Sequence, residues 1–194
     1  MKGLLIVIDG VDGSGKTTVC KELYNKLNKK MNAKLIDIYY DQVGVDIFKI
    51  IKHTKLTPEV ETLLFSAIFQ RNWDTYIKDW LRSGDIVVAD RWITTTYAYQ
   101  VECLHSDINP ITTMNAPDIK IFLDIDKKVA DSRISERRDK WESNKLIKDN
   151  LDHVMRNMAL INNYNIIDTN NKSINDIVDE AYDIINNYKQ RKGI

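Results

Sequence analysis

The stretch Leu4-Leu5-Ile6-Val7-Ile8-Asp9-Gly10-Val11-Asp12-Gly13-Ser14-Gly15-Lys16-Thr17-Thr18 decides how the rest of the chain is read. Five apolar residues run into Asp9-Gly10, as a buried strand runs into a turn. Gly10 to Thr17 then matches GxxxxGK[ST] in full. Glycines there let a loop turn its N–H groups inward at phosphate oxygens, and the helix that follows presents its positive end. Lys16 is placed to reach the β- and γ-phosphates, and the Thr17 hydroxyl to ligate magnesium. Gly10, Gly13, Ser14, Gly15, Lys16, Thr17 and Thr18 therefore make the candidate ATP site. The loop alone leaves a switch, a motor or a kinase open.

Downstream, short apolar runs alternate with amphipathic stretches, the pattern of an α/β protein with a parallel sheet. Strands are expected at Leu4–Ile8, Lys34–Tyr40, Ile86–Ala89, Ile119–Leu123 and Tyr164–Ile167. Helices are expected near 16–30, 44–53, 58–82, 92–103, 127–138, 143–162 and 174–190. Three prolines, no repeat and no flexible linker fit one domain over residues 1–194. The 28 Lys+Arg balance the 28 Asp+Glu, which argues against a protein that coats nucleic acid. Cys20 and Cys103 are far apart and form no metal or disulfide pattern, so a reduced, cytoplasmic setting is expected. The apolar run 4–8 is far short of the ~20 residues of a membrane span.

The third expected strand ends in Asp90-Arg91-Trp92 and continues Ile93-Thr94-Thr95-Thr96-Tyr97-Ala98-Tyr99-Gln100. Polar residues at the carboxyl end of a central strand lie where open α/β sheets bind ligands. This segment resembles the DR[YHFW]…[ST]xxAYQ pattern of thymidylate kinases, and Asp9 through Thr17 resembles that family's phosphate loop. Leu63-Leu64-Phe65-Ser66-Ala67, Ala116-Pro117-Asp118 with Phe122-Leu123-Asp124, and Ser132-Arg133 through Arg137-Arg138-Asp139-Lys140-Trp141-Glu142 follow the family's order as far as Asp168.

The resemblance implies a P-loop NTPase fold, a three-layer α/β/α sandwich with a five-stranded parallel sheet and a short lid at about 133–145. It implies transfer of the ATP γ-phosphoryl to a deoxythymidine-type 5′-monophosphate, with magnesium, in a homodimer. Lys16, Arg91, Arg133, Arg137 and Lys140 are then the catalytic cations, and Thr17 with Asp90 or Asp9 serves the metal. Asp12, Phe65, Arg71, Arg91, Thr95, Tyr99 and Gln100 fall on the acceptor side, with Phe65 expected to stack on the base or else to pack in the core.

The chain departs from the family on that side. No arginine occurs in Tyr39-Tyr40-Asp41-Gln42-Val43-Gly44, where the family grips the acceptor phosphate. The arginine of the LLFxA helix is also displaced: counting from Phe65 puts it at Phe69, and counting back from Asp90 puts it at Gln70. Arg71 is the nearest arginine. Asp41 keeps open a deoxynucleoside kinase, which needs a carboxylate base for a 5′-hydroxyl. A nucleotide-binding protein without kinase activity is the other alternative.

Overall fold

The computed structural model describes residues 3–109, 114–134 and 145–194. Strands β1 (Leu4–Gly10), β2 (Ala33–Ile36), β3 (Ile86–Asp90), β4 (Ile119–Asp124) and β5 (Asn165–Asp168) form one sheet in the order β2-β3-β1-β4-β5. Every pairing is parallel, with Ile8 opposite Asp90 and Asp9 opposite Phe122. The chain moves from β1 outward to β2, returns through β3, and crosses to β4 on the far side of β1. That reversal opens a crevice at the carboxyl ends of β1 and β3, where ligands of such sheets bind.

Alternation along the strands divides the core in two. Leu4, Ile6, Ile8, Ile86 and Val88 face helix α1 (Lys16–Asn28) through Val19, Cys20, Leu23 and Leu27, and helix α8 (Ile174–Lys192) through Ile177, Val178, Ala181 and Ile185. Leu5, Val7, Val87 and Ala89 face the other way, onto helix α2 (Gln42–His53) and helix α3 (Pro58–Asn72). Both faces of β1 are thus apolar, which is why its sequence shows no polar alternation. Each fully buried Ile or Leu there contributes about 1.5–3 kcal/mol of transfer free energy.

Two expectations change. Strand β2 stops at Ile36, because the Asp37 carboxylate accepts the Tyr39 N–H at 2.8 Å and bends the chain. The helix expected over 58–82 is three pieces: α3, a π-helical turn at Trp73–Ile77, and α4 (Lys78–Arg82). Likewise α5 (Ile93–Thr96) runs on into a π-helical stretch at Tyr97–Cys103. Helices α6 (Lys127–Ile134) and α7 (Lys145–Ile161) lie between β4 and β5 in the chain. No helix of the described residues is long and apolar enough to cross a membrane.

Candidate active site

The loop after β1 is held open by its backbone. Gly10, Gly13 and Gly15 have φ of 150°, 83° and 88°, and a Cβ on Gly13 would come within 2.7 Å of the Ala130 carbonyl of α6. No side chain among the described residues caps α1, so its first amides are left for an anion. The buried Ser14 hydroxyl has no hydrogen-bond partner among the described residues. The Lys16 ammonium donates to the Val11 carbonyl at 2.7 Å and lies 3.7 Å from Asp12. Burial and the nearby Arg91 charge pull the Lys16 pKa down to about 8.

The two acids expected to serve a metal part company. Asp90 continues the Ile86–Val88 side of β3 toward α1, and its Oδ2 accepts the Thr17 hydroxyl at 2.7 Å. Asp9 continues the Leu5–Val7 side of β1 and lies across the sheet, with its oxygens taken by Trp92, Thr95 and Tyr164. Strand alternation is the physical reason, and it moves Asp9 out of the expected metal pair. Thr17 and Asp90 offer only oxygen, the donor type that a hard divalent cation takes.

On the acceptor side, Arg91 follows directly from β3 and forms an ion pair with Asp12. Asp12 therefore lies between Arg91 and Lys16. Arg71 leaves α3 to meet the Asp41 carboxylate at 2.5 Å, and the Tyr76 hydroxyl donates to the same Asp41 oxygen at 2.7 Å. The other Asp41 oxygen caps α2 through the Gly44 N–H. Partial burial would raise the Asp41 pKa, but these donors and the Arg71 charge bring it down to about 2. A carboxylate held that way is a poor general base.

Other expected pocket residues are placed differently from one another. Phe65 is half-buried beside Phe48, with ring centroids 6.4 Å apart, and joins the cluster against α2. The Thr95 hydroxyl is turned onto Asp9 at 2.6 Å. Burial raises the Tyr99 pKa, and the negative charges of Glu61, Cys103 and Asp12 add to the shift. Gln100 is fully buried; its Nε2 donates to Glu61 Oε2 at 3.1 Å, and its Oε1 has no donor among the described residues. Arg133 reaches back from α6 to donate to the Gly13 carbonyl at 3.3 Å. Arg137 and Lys140 lie outside the described residues.

Sequence reading passed over Glu61, Tyr76 and Tyr164. Glu61 had a signal: it lies one and two turns before Phe65 and Ile68, an acid in an apolar helical stripe, and it is buried. Tyr164 and Tyr76 had none, since their partners are 155 and 35 residues away.

Residues 8–181 match the family model described as thymidylate kinase. The thymidylate kinase of Enterococcus faecalis is 32% identical over 152 residues, 71% of each chain. The probable thymidylate kinase of Sulfolobus acidocaldarius is 32% identical over 190 residues, 93% of this chain and 95% of that one. Among solved structures, the thymidylate kinase of Ehrlichia chaffeensis superposes with a TM-score of 0.76 at 22% identity, covering 96% of this chain and 99% of that one. That of Candida albicans gives 0.72 at 23%, covering 97% and 93%. The two structures share the fold, and the family match spans the phosphate loop, the Asp90-Arg91 turn and the last strand. The chain belongs to the thymidylate kinase family.

Proposed function

We propose that the chain transfers the γ-phosphoryl of ATP to the 5′-phosphate of dTMP, giving ADP and dTDP, with the residues assembled above. The observation that carries the reading is the meeting at Asp12 of Lys16 from the phosphate loop and Arg91 from the end of β3. Two cations from separate elements there can each hold one of two phosphorylated anions. An acceptor phosphate oxygen forms the new bond to Pγ as the bond from Pγ to the β–γ bridging oxygen breaks. The phosphate monoester, with its second pKa near 6, is largely dianionic at pH 7 and needs no base. Asp41, tied to Arg71 and Tyr76, is accordingly free for a structural task, which favours a monophosphate over a nucleoside acceptor.

Lys16, the α1 amides, Ser14 and Arg133 take the donor phosphates, and Arg137 and Lys140 join them by resemblance. Thr17 and Asp90 would hold magnesium. Bound there, the ion would offset phosphate charge. Arg91 and Arg71 serve the acceptor phosphate, with Asp12, Phe65, Thr95 and Tyr99 around the nucleoside. Gln100 lies by the base by resemblance, held there through Glu61. The reading includes residues 133–145 as a lid on one domain, a homodimer and a cytoplasmic setting.

A coupled assay with ATP and a panel of deoxynucleotides and deoxynucleosides tests the reading. Turnover of dTMP without turnover of thymidine is expected. Faster turnover of thymidine than of dTMP, or of no acceptor at all, overturns it.

A further inference from the structure

Strand alternation leaves Asp9 buried on the side of the sheet away from the phosphate loop's helix, and there it is not idle. Its Oδ1 accepts the Trp92 N–H at 3.3 Å and the Thr95 hydroxyl at 2.6 Å, and its Oδ2 accepts the Tyr164 hydroxyl at 2.9 Å. Between Asp90 and Trp92 stands Arg91, whose φ of 74° lies in the left-handed region that side chains other than glycine's resist. Three successive residues are pinned on both sides of that strain. Asp90 is held by Thr17, the Arg91 N–H by the Ile8 carbonyl at 3.0 Å, and the Trp92 N–H by Asp9.

We propose that Asp9 is a positioning residue for Arg91: by anchoring the Trp92 N–H and Thr95 at the start of α5, it keeps the Arg91 backbone left-handed and its guanidinium on Asp12. Asp9 touches no substrate. Trp92, buried against Phe69 with centroids 5.8 Å apart, makes the anchor stiff. Tyr164, between α7 and β5, braces the opposite oxygen by donating to it, and its own oxygen accepts the Thr94 hydroxyl at 3.0 Å. Without Asp9, Arg91 is released to ordinary backbone geometry and its side chain leaves the acceptor phosphate. The inference rests on the proposed role of Arg91 in the reaction of dTMP.

The test is a double-mutant cycle. Asn at position 9 keeps the shape but has one accepting oxygen, so one set of donors loses its partner. Asp9→Asn is expected to lower kcat/KM for dTMP roughly 10- to 100-fold, the range that misplacement by about 1 Å produces, with ATP affinity unchanged. In an Arg91→Ala background the same substitution is expected to cost almost nothing further. Tyr164→Phe, which leaves two of the three donors on Asp9, is expected to show a smaller loss with the same non-additivity, and it carries the test if the Asn variant does not fold. An equal fold-loss with and without Arg91 overturns the proposal, as does an unchanged kcat/KM. A wild-type chain inactive on dTMP defeats the functional reading instead, so the two failures are distinct.

Discussion

The donor and acceptor halves of this crevice are built in different ways. The donor half is built around nine consecutive residues, Gly10 to Thr18, which act through backbone geometry, a helix end and Lys16, with Asp90 and Arg133 reaching them from other elements. The acceptor half is a set of tertiary pairs: Arg91 with Asp12, Arg71 with Asp41, Gln100 with Glu61, and Thr95 with Asp9. A local device tolerates little change, because each glycine meets a carbonyl or a left-handed φ. A device made of pairs can be rebuilt from other pairs, and the arginines missing from the segment 39–44 and displaced in α3 both belong to the acceptor half.

The largest effect should come from the local half. Lys16→Ala removes the cation that meets the γ-phosphate as it moves, and kcat should fall by about 10³-fold or more. Steady-state assays check this, with circular dichroism to confirm the fold. A variant within tenfold of wild type would break the comparison, because the loop would then not be the essential local device.

Arg71→Ala should produce a smaller and selective effect. The KM for dTMP should rise roughly 10- to 150-fold, the scale of one charge-assisted hydrogen bond of about 1.5–3 kcal/mol, while the KM for ATP stays put. Measuring both constants sharpens the comparison: a shift confined to the acceptor assigns Arg71 to the half made of pairs. Equal shifts in both constants would deny the division.

The same division explains what could be read without a structure. The five strands and the phosphate loop were legible from apolar runs and glycines, because both faces of each central strand are buried. The choice between Asp90 and Asp9 was legible in principle, since Asp9 shares parity with Leu5 and Val7 whereas Asp90 shares it with Ile86 and Val88. The displaced arginine was not. The counts from Phe65 and from Asp90 disagree by one residue, and a π-helical turn at Trp73–Ile77 lies between the two reference points. Phe69, one of the two counted positions, is buried against Trp92. Arg71 is two residues on, roughly 200° around the helix, and meets Asp41. No periodicity in the sequence marks a π-turn or a partner 30 residues away.

The smallest predicted effect concerns protons. Lys16 titrates near pH 8 in the free chain because burial and Arg91 both disfavour its charge. ATP brings negative charge to the ammonium and favours the protonated form, so binding raises this pKa. Below about pH 8 the lysine is already charged and affinity is flat in pH. Above it each binding event must take up a proton, and affinity falls by at most about tenfold per pH unit. Without ATP the sign is opposite: the folded chain binds fewer protons than the unfolded one between about 8 and 10.5, so this group's contribution to stability grows as pH rises through that window. Calorimetry at pH 8.5 in buffers of different ionisation enthalpy should register the proton uptake, and Lys16→Met should abolish it. Uptake that survives in Lys16→Met would place the titrating group outside the phosphate loop, and the charge meeting ATP would then not be the local lysine.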